Sequence, residues 1–323
     1  MNLLFFGTPP FAVPSLQHLL ASSHRVRAVV TQPSRPSGRG RSIHEPSAVA
    51  QVARSSGIPL LEPQRLEDAH LLEELASLQP DAGVVVAYGR ILPPPLLKLF
   101  PKGVFNAHAS LLPRFRGASP IARAILAGDQ KSGVTIFRLD EEIDHGPILL
   151  QTECPIAPEE DSLSLSEKLS RLAAKSWPAA LELLKRDPPP LTPQDESKAT
   201  LAPPLQKADG IIRWENDCDA IHRLVRAVQP WPGALTWLGG RMIKLLRVRS
   251  DPRRHESSLP AGAVAQADAR EGLWMQTGRG QIRIDRLQAE GGRPLEAAEF
   301  LRGHRWQRGT RLLDRAGSPP EGA

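Results

Sequence analysis

The sequence predicts an α/β protein: a doubly wound, mostly parallel sheet followed by a small antiparallel barrel of OB-like type. Two observations carry this. The first half alternates short apolar runs with segments of helical spacing, and one run, Ala82–Ala87, holds Val84, Val85 and Val86 in succession. An unbroken β-branched run fits a strand covered on both faces, as in a parallel sheet. The last third instead reads as short strands punctuated by glycine.

In order along the chain, Leu3–Gly7 is an apolar run that ends in Gly7-Thr8-Pro9-Pro10, a strand and then a turn. Phe11–Ala21 places Val13, Leu16, Leu19 and Leu20 at helical spacing. Val26–Thr31, Ala82–Ala87, Gly103–His108 and Val134–Leu139 are the further strands. Ser164-Leu165-Ser166-Glu167 has the form of a capping box opening a long helix, which Pro178 should kink or divide. Residues 186–207 carry Pro188, Pro189, Pro190, Pro193, Pro203 and Pro204 with little periodicity. Such a stretch is semi-rigid and extended. The predicted organisation is therefore a first domain over 1–185, a Pro-rich linker over 186–207 and the barrel over 208–323. The barrel domain opens with a helix whose apolar stripe is Ile221, Leu224, Val225 and Val228. Its strands are Ala234–Leu238, Arg241–Val248, Gly272–Thr277 and Gln281–Leu287.

The 323 residues are 41% hydrophobic and 24% charged, enough to build a core and unlike a disordered chain. No apolar run approaches the ~20 residues of a membrane span. The first residues read as a strand rather than a leader, and the two cysteines, Cys154 and Cys218, have no metal-ligand spacing. A reducing cytoplasm is the expectation, and no metal is required. The charge is uneven. Residues 1–185 hold 19 Lys and Arg against 18 Asp and Glu, whereas residues 208–323 hold 19 against 14. The excess is mostly arginine, which suits phosphate. An arginine-rich composition with no polyanionic partner is the competing reading.

Three clusters are candidates for chemistry. In Phe105-Asn106-Ala107-His108-Ala109-Ser110, the period of two puts Asn106, His108 and Ser110 on one face. A strand with Asn and His near its C-terminal end feeds the crevice where open α/β sheets bind ligands. The competing reading is of edge-strand groups bonded to backbone. Asp140, Glu141, Glu142 and Asp144 precede His145-Gly146-Pro147; four carboxylates beside a strand end are either a solvated loop, the stronger reading for the first three, or a metal site, and Asp144 is a turn carboxylate able to pair with a histidine. Thr31–Arg41 carries Arg35, Arg39 and Arg41 among glycines and prolines, either a phosphate-contacting loop or an exposed one; it has no P-loop spacing.

Taken together, Asn106-x-His108, Ser110-Leu111-Leu112-Pro113 and Asp144-x-Gly146-Pro147 resemble the folate-dependent formyltransferases. Further segments resemble the branch acting on aminoacyl-tRNA: Gly7-Thr8-Pro9-x-Phe11-Ala12, Thr31-Gln32-Pro33-x-Arg35-Pro36-x-Gly38-Arg39-Gly40, Val85-Val86-Ala87-Tyr88-Gly89, Arg116-Gly117-Ala118-x-Pro120-Ile121 and Arg226-Ala227-x-x-Pro230-Trp231-Pro232-Gly233. Ala107, Ala109 and His145 depart from that pattern. The resemblance implies a formyltransferase-type Rossmann-like domain, with 10-formyltetrahydrofolate as formyl donor and the amine of methionyl initiator tRNA as acceptor. It implies Asn106, His108 and Asp144 as the catalytic set. The folate would meet Ser110, Leu111, Leu112, Pro113, Val86 and Tyr88, and the tRNA would meet Arg35, Arg39 and Arg41. A monomer is expected. The rival readings are a formyltransferase for a nucleotide sugar or small amine, and an RNA-binding protein with a vestigial first domain.

Overall fold

The computed structural model describes residues 1–34, 36–37, 43–254, 256, 258–268 and 270–315. It comprises two compact units: Met1–Pro120 with Gln130–Pro155 and Leu165–Pro203, and Ile121–Asp129 with Ile156–Ser164 and the chain from Pro204 onward.

The first unit is built on strands β1 (Asn2–Gly7), β2 (Arg25–Val30), β5 (Leu60–Leu61), β6 (Ala82–Val86), β7 (Val104–His108), β8 (Lys131–Arg138) and β9 (Ile148–Pro155), with two short strands, β3 (Pro36–Ser37) and β4 (Ile43–His44), paired apart from them. The seven form one sheet in the order β5-β2-β1-β6-β7-β8-β9. Strands β5 to β7 in that order run parallel, and β8 and β9 return antiparallel. The predicted double-faced burial is present: Val84, Val85 and Val86 are all buried in β6.

The chain steps outward from β1 to β2 and β5, then returns to the other side of β1 with β6. The C-terminal ends of β1 and β6 therefore flank a topological switch point, where open α/β sheets bind ligands. Helices α1 (Val13–Leu20), α2 (Ala48–Ser55), α3 (Ala69–Ser77), α4 (Pro94–Leu97) and, from Leu165 onward, α6 (Ser162–Leu183) accompany the strands, while α5 (Pro120–Ala127) belongs beyond Pro120 to the second unit. Side-chain caps set their starts: Ser47 Oγ accepts from the Ala50 N–H, and Asp68 Oδ1 from those of His70 and Leu71.

Helix α6 begins one turn earlier than its sequence suggests. Asp161 Oδ1 accepts the Ser164 N–H at 2.8 Å while Ser164 Oγ accepts the Asp161 N–H at 3.0 Å, so the reciprocal cap is made by this pair. Nor does Pro178 divide the helix, which continues to Leu183. Leu165, Leu169, Ala173, Trp177 and Leu181 are buried along one face, and that burial offsets the bond the proline cannot make.

The second unit holds α7 (Cys218–Ala227), capped by Asp217, and strands β10 (Ala234–Leu238), β11 (Arg241–Asp251), β12 (Val264–Asp268), β13 (Gly272–Gln276), β14 (Gln281–Ala289) and β15 (Leu295–Glu296), followed by α8 (Ala297–Gly303). The sheet order is β10-β11-β14-β13-β12, with β15 beside β14 and every pairing antiparallel. Ile221, Val225, Ile243, Leu245, Ile282, Ile284 and Phe300 form the centre of its core. Strand β15, of two residues, is too short for a legible period; β12 and α8 also lie outside the elements that the sequence predicts. Among the described residues no helix is long and apolar enough to cross a membrane.

Candidate active site

The site grows from the end of β7. Its register against β8 sets Asn106 opposite Phe137 and His108 opposite Thr135. Asn106 is half-buried, and its side-chain amide makes no hydrogen bond to any described residue. A polar group of fixed geometry left without a partner beside a crevice is positioned for a ligand. His108 is buried, with 7% of its side chain exposed. Its Nε2 lies 2.8 Å from the Phe115 carbonyl oxygen. A carbonyl only accepts, so Nε2 carries a proton, and Nδ1 is the atom free to take up or release another.

Asp144 faces that atom. Its Oδ2 lies 3.5 Å from His108 Nδ1 and accepts the Gly117 N–H at 2.8 Å. Its Oδ1 bonds to no described residue. Asp144 adopts φ +51°, a left-handed conformation that non-glycine residues seldom take. Next to it, a Cβ on Gly146 would stand 1.8 Å from the Arg138 carbonyl oxygen, so only glycine lets this turn sit against the end of β8. Gly117, at φ +116°, also lies close to a carbonyl, that of Ala202, 2.8 Å from where its Cβ would be. The structure thus brings Asn106, His108 and Asp144 to the end of one strand.

Ser110 lies beyond β7, where alternation no longer applies. Its buried hydroxyl donates to the Arg114 carbonyl at 2.7 Å and so holds the turn. Thr135 Oγ1 donates to the Ser110 carbonyl and accepts the Leu112 N–H, while Gln151 Nε2 donates to the Leu112 carbonyl at 2.7 Å. Leu112 is buried; Leu111 and Pro113 are half-buried, with Leu111 laid over Gly133. Val86 is fully buried at the end of β6. The Tyr88 ring turns into the core, edge-on to Phe6 with centroids 5.7 Å apart. What Tyr88 offers the crevice is its carbonyl, which accepts from Gln32 Nε2 at 2.6 Å and Thr8 Oγ1 at 3.2 Å. Arg35, Arg39 and Arg41 lie outside the described residues.

The sequence reading missed a second layer. Arg116 is buried, and its guanidinium donates to Gln194 Oε1 and to both carboxylate oxygens of Glu196, the shortest contact being 2.6 Å. This pairing holds the Glu196 carboxyl below the usual carboxylate range. Gln194 Nε2 in turn donates to the carbonyls of Asp144 and Gly146, both at 2.8 Å. His145 bonds Asp140 Oδ2 at 2.8 Å, and that bond lifts the imidazole above the ordinary histidine range. Its Nε2 is 3.6 Å from Glu196 Oε1. Arg116 belongs to the Arg116-Gly117-Ala118 motif, whereas Gln194 and Glu196 lie in the Pro-rich stretch that the sequence predicts to be a linker.

In the second unit, Arg247, Arg249 and Arg283 converge from β11 and β14 on Asp285, whose side chain is 7% exposed. Glu296 pairs Arg247 at 2.9 Å and lies 3.9 Å from Arg286, so four arginines face two carboxylates and the cluster is positive.

Comparisons with known proteins agree with this architecture. Residues 1–181 match the formyl transferase family and residues 204–305 the formyl transferase C-terminal domain. The methionyl-tRNA formyltransferase of Trichlorobacter lovleyi is 41% identical over 316 residues, covering 97% of both chains. That of Thermus thermophilus is 42% identical over 313 residues, covering 97% of this chain and 99% of its own. Among solved structures, an N-formyltransferase from Helicobacter canadensis, in complex with folinic acid and dTDP-3-aminofucose, superposes with a TM-score of 0.65 at 17% identity, covering 87% of this chain and 98% of its own. HypX from Aquifex aeolicus in complex with tetrahydrofolic acid gives 0.60 at 18% identity, covering 93% of this chain and 47% of its own. At such identities these two likenesses speak for the fold. With both family matches in sequence order and relatives above 40% identity over nearly its whole length, the chain belongs to the formyl transferase family.

Proposed function

We propose that this chain transfers the formyl group of 10-formyltetrahydrofolate to the α-amino group of methionyl initiator tRNA, giving N-formylmethionyl-tRNA for translation initiation. The observation that carries the chemistry is the meeting of an unpartnered Asn106 amide with the His108–Asp144 pair at the end of β7. The relatives carry the substrate: those at 40–42% identity bear the name methionyl-tRNA formyltransferase.

The residues fit a formyl-folate. The free Asn106 amide and the unpartnered Asp144 oxygen face opposite needs of an acyl transfer, one a donor and one an acceptor. Bound folate supplies the formyl carbon and the departing nitrogen. As the neutral amine of the methionyl group adds to that carbon, the Asn106 amide and, through Nδ1, protonated His108 donate to the oxygen that gathers charge. One such donor is typically worth about 10²–10³ in rate. The His108–Asp144 pair accepts the proton the amine loses and returns one to the leaving nitrogen, a role worth roughly 10²–10⁴. Leu111, Leu112 and Pro113, with the backbone of Val86 and Tyr88, line the flat ring; Ser110 fixes their turn.

The first compact unit, which runs to Pro203 and so takes in most of the 186–207 stretch, carries the reaction, and residues 208–323 hold the tRNA through the positive face around Asp285. Arg35, Arg39 and Arg41 meet the acceptor end. The enzyme works as a monomer in the cytoplasm; sedimentation of the purified protein as a dimer would contradict the first point, and fractionation of the cell the second. Asn106→Ala and His108→Ala should each lower kcat by at least ~10² with tRNA affinity nearly unchanged. Near-normal turnover removes that residue from the catalytic set. Arg39→Ala and Arg41→Ala should raise KM for tRNA and flatten its salt dependence by at most about one unit of slope each. Wild-type behaviour in both takes the loop out of the interface.

A further inference from the structure

The stretch between the two family matches, residues 182–203, is more than a spacer. We infer that Gln194 is a positioning residue for the reaction: it holds Asp144 in its left-handed conformation, aimed at His108. The inference rests on the catalytic reading of Asp144. It starts from a single amide whose two ends are both committed. Arg116 has only donors, so the atom of Gln194 that meets its Nε and Nη2, at 3.2 and 2.9 Å, must be the oxygen. The amide nitrogen must then point the opposite way, where the Asp144 and Gly146 carbonyls each accept at 2.8 Å. The flip state of this glutamine is thereby fixed by chemistry rather than chosen.

The two carbonyls bracket the turn that carries Asp144. A non-glycine residue at φ +51° persists only where its surroundings over-determine it. Here the side chain is held by the Gly117 N–H and the backbone by Gln194. Arg116 joins the two, because Gly117 follows it directly and its guanidinium orients Gln194. Glu196 completes the bracket by taking the rest of the guanidinium. The segment itself is pinned by the bridge of Thr192 with Ile148 and by the Arg116 N–H to the Thr200 carbonyl at 2.8 Å. Placement of a catalytic group to within an ångström is worth about 10² in rate.

The test uses full-length protein with Gln194→Glu, which keeps the acceptor for Arg116 but removes both donors, and Gln194→Met, which removes both functions at similar volume. Each should lower kcat about 10- to 100-fold, with KM for formyl-folate and for tRNA within about threefold of wild type. Because Gln194 acts through Asp144, adding either change to Asp144→Asn should cost nothing further. A loss that multiplies on the Asp144→Asn background, or one that appears in KM alone, overturns the inference, as does wild-type kcat in both variants. Thermal melting of each protein sets the assay temperature below its transition. If Asp144→Asn itself turns over normally, the reading of Asp144 fails; if it is inactive while both Gln194 variants are normal, only the present inference fails.

Discussion

Replacing Asp144 by Asn separates chemistry from folding. Asparagine is nearly isosteric and tolerates the left-handed φ of +51° better than other side chains with a Cβ. It still accepts the Gly117 N–H that Asp144 Oδ2 takes at 2.8 Å. What changes is the charge. A hydrogen bond to a charged acceptor contributes about 1.5–3 kcal/mol net and a neutral one about 0.5–1.5, so the variant should lose roughly 1–1.5 kcal/mol of stability. In a domain of this size that lowers Tm by about 2–6 °C. Turnover should fall much further. On the proposed role of the His108–Asp144 pair in proton transfer, losing the Asp144 charge costs about 10²–10⁴, or roughly 3–5 kcal/mol of barrier. The assay is single-turnover formylation of methionyl initiator tRNA, resolved by acid gel electrophoresis at 25 °C, with melting and tRNA binding measured on the same protein. A kcat within fivefold of wild type would refute the reasoning, and so would a loss matched by the fraction unfolded at the assay temperature.

Two other outcomes follow from the same geometry. The raised His145 imidazole, held first by its bond to Asp140 and then by the charges of Glu142, Asp140 and Glu196, adds stability that is fully present below the ordinary histidine value of about 6.5 and is lost as pH rises through the folded value. His145→Ala should therefore lower Tm at pH 5–6 and leave it unchanged by pH 9; an equal drop at both ends would remove the ion pair as the cause. A chain ended at Lys185 lacks Gln194 and Glu196, whereas one ended at Pro203 keeps the whole first compact unit. The longer chain should bind folate with a more ordered site and formylate tRNA poorly, and the shorter should lose thermal stability as well. Equal melting of the two would show that residues 186–203 do not support the fold.

Local chemistry made much of the protein legible before any coordinates. The apolar run Val84-Val85-Val86 can be satisfied only by burial on both sides, and Asn106 and His108 are two apart on a strand, so their shared end of β7 follows from periodicity. The motifs around them were sufficient to point to the family. The two-residue β15 escaped because a period needs length to register, whereas β9 and β12 escaped despite eight and five residues. Ser110 was misplaced on the face of Asn106 because alternation stops where the strand stops, and the backbone turns to satisfy Thr135 and Gln151 instead. The Tyr88 ring went to the core because Phe6 gave it an apolar partner there.

The bracket around Asp144 was decided only by tertiary structure. Gln194 and Glu196 bond Arg116 across 78 and 80 residues, from a segment whose prolines make it look like a spacer. Sequence determines what a stretch can do locally: its period, its turns and its charge. It does not record which distant carbonyl a glutamine amide will meet. That is settled when the sheet fixes the ends of β7 and β8, and every buried donor near them must find an acceptor in the chain that happens to pass.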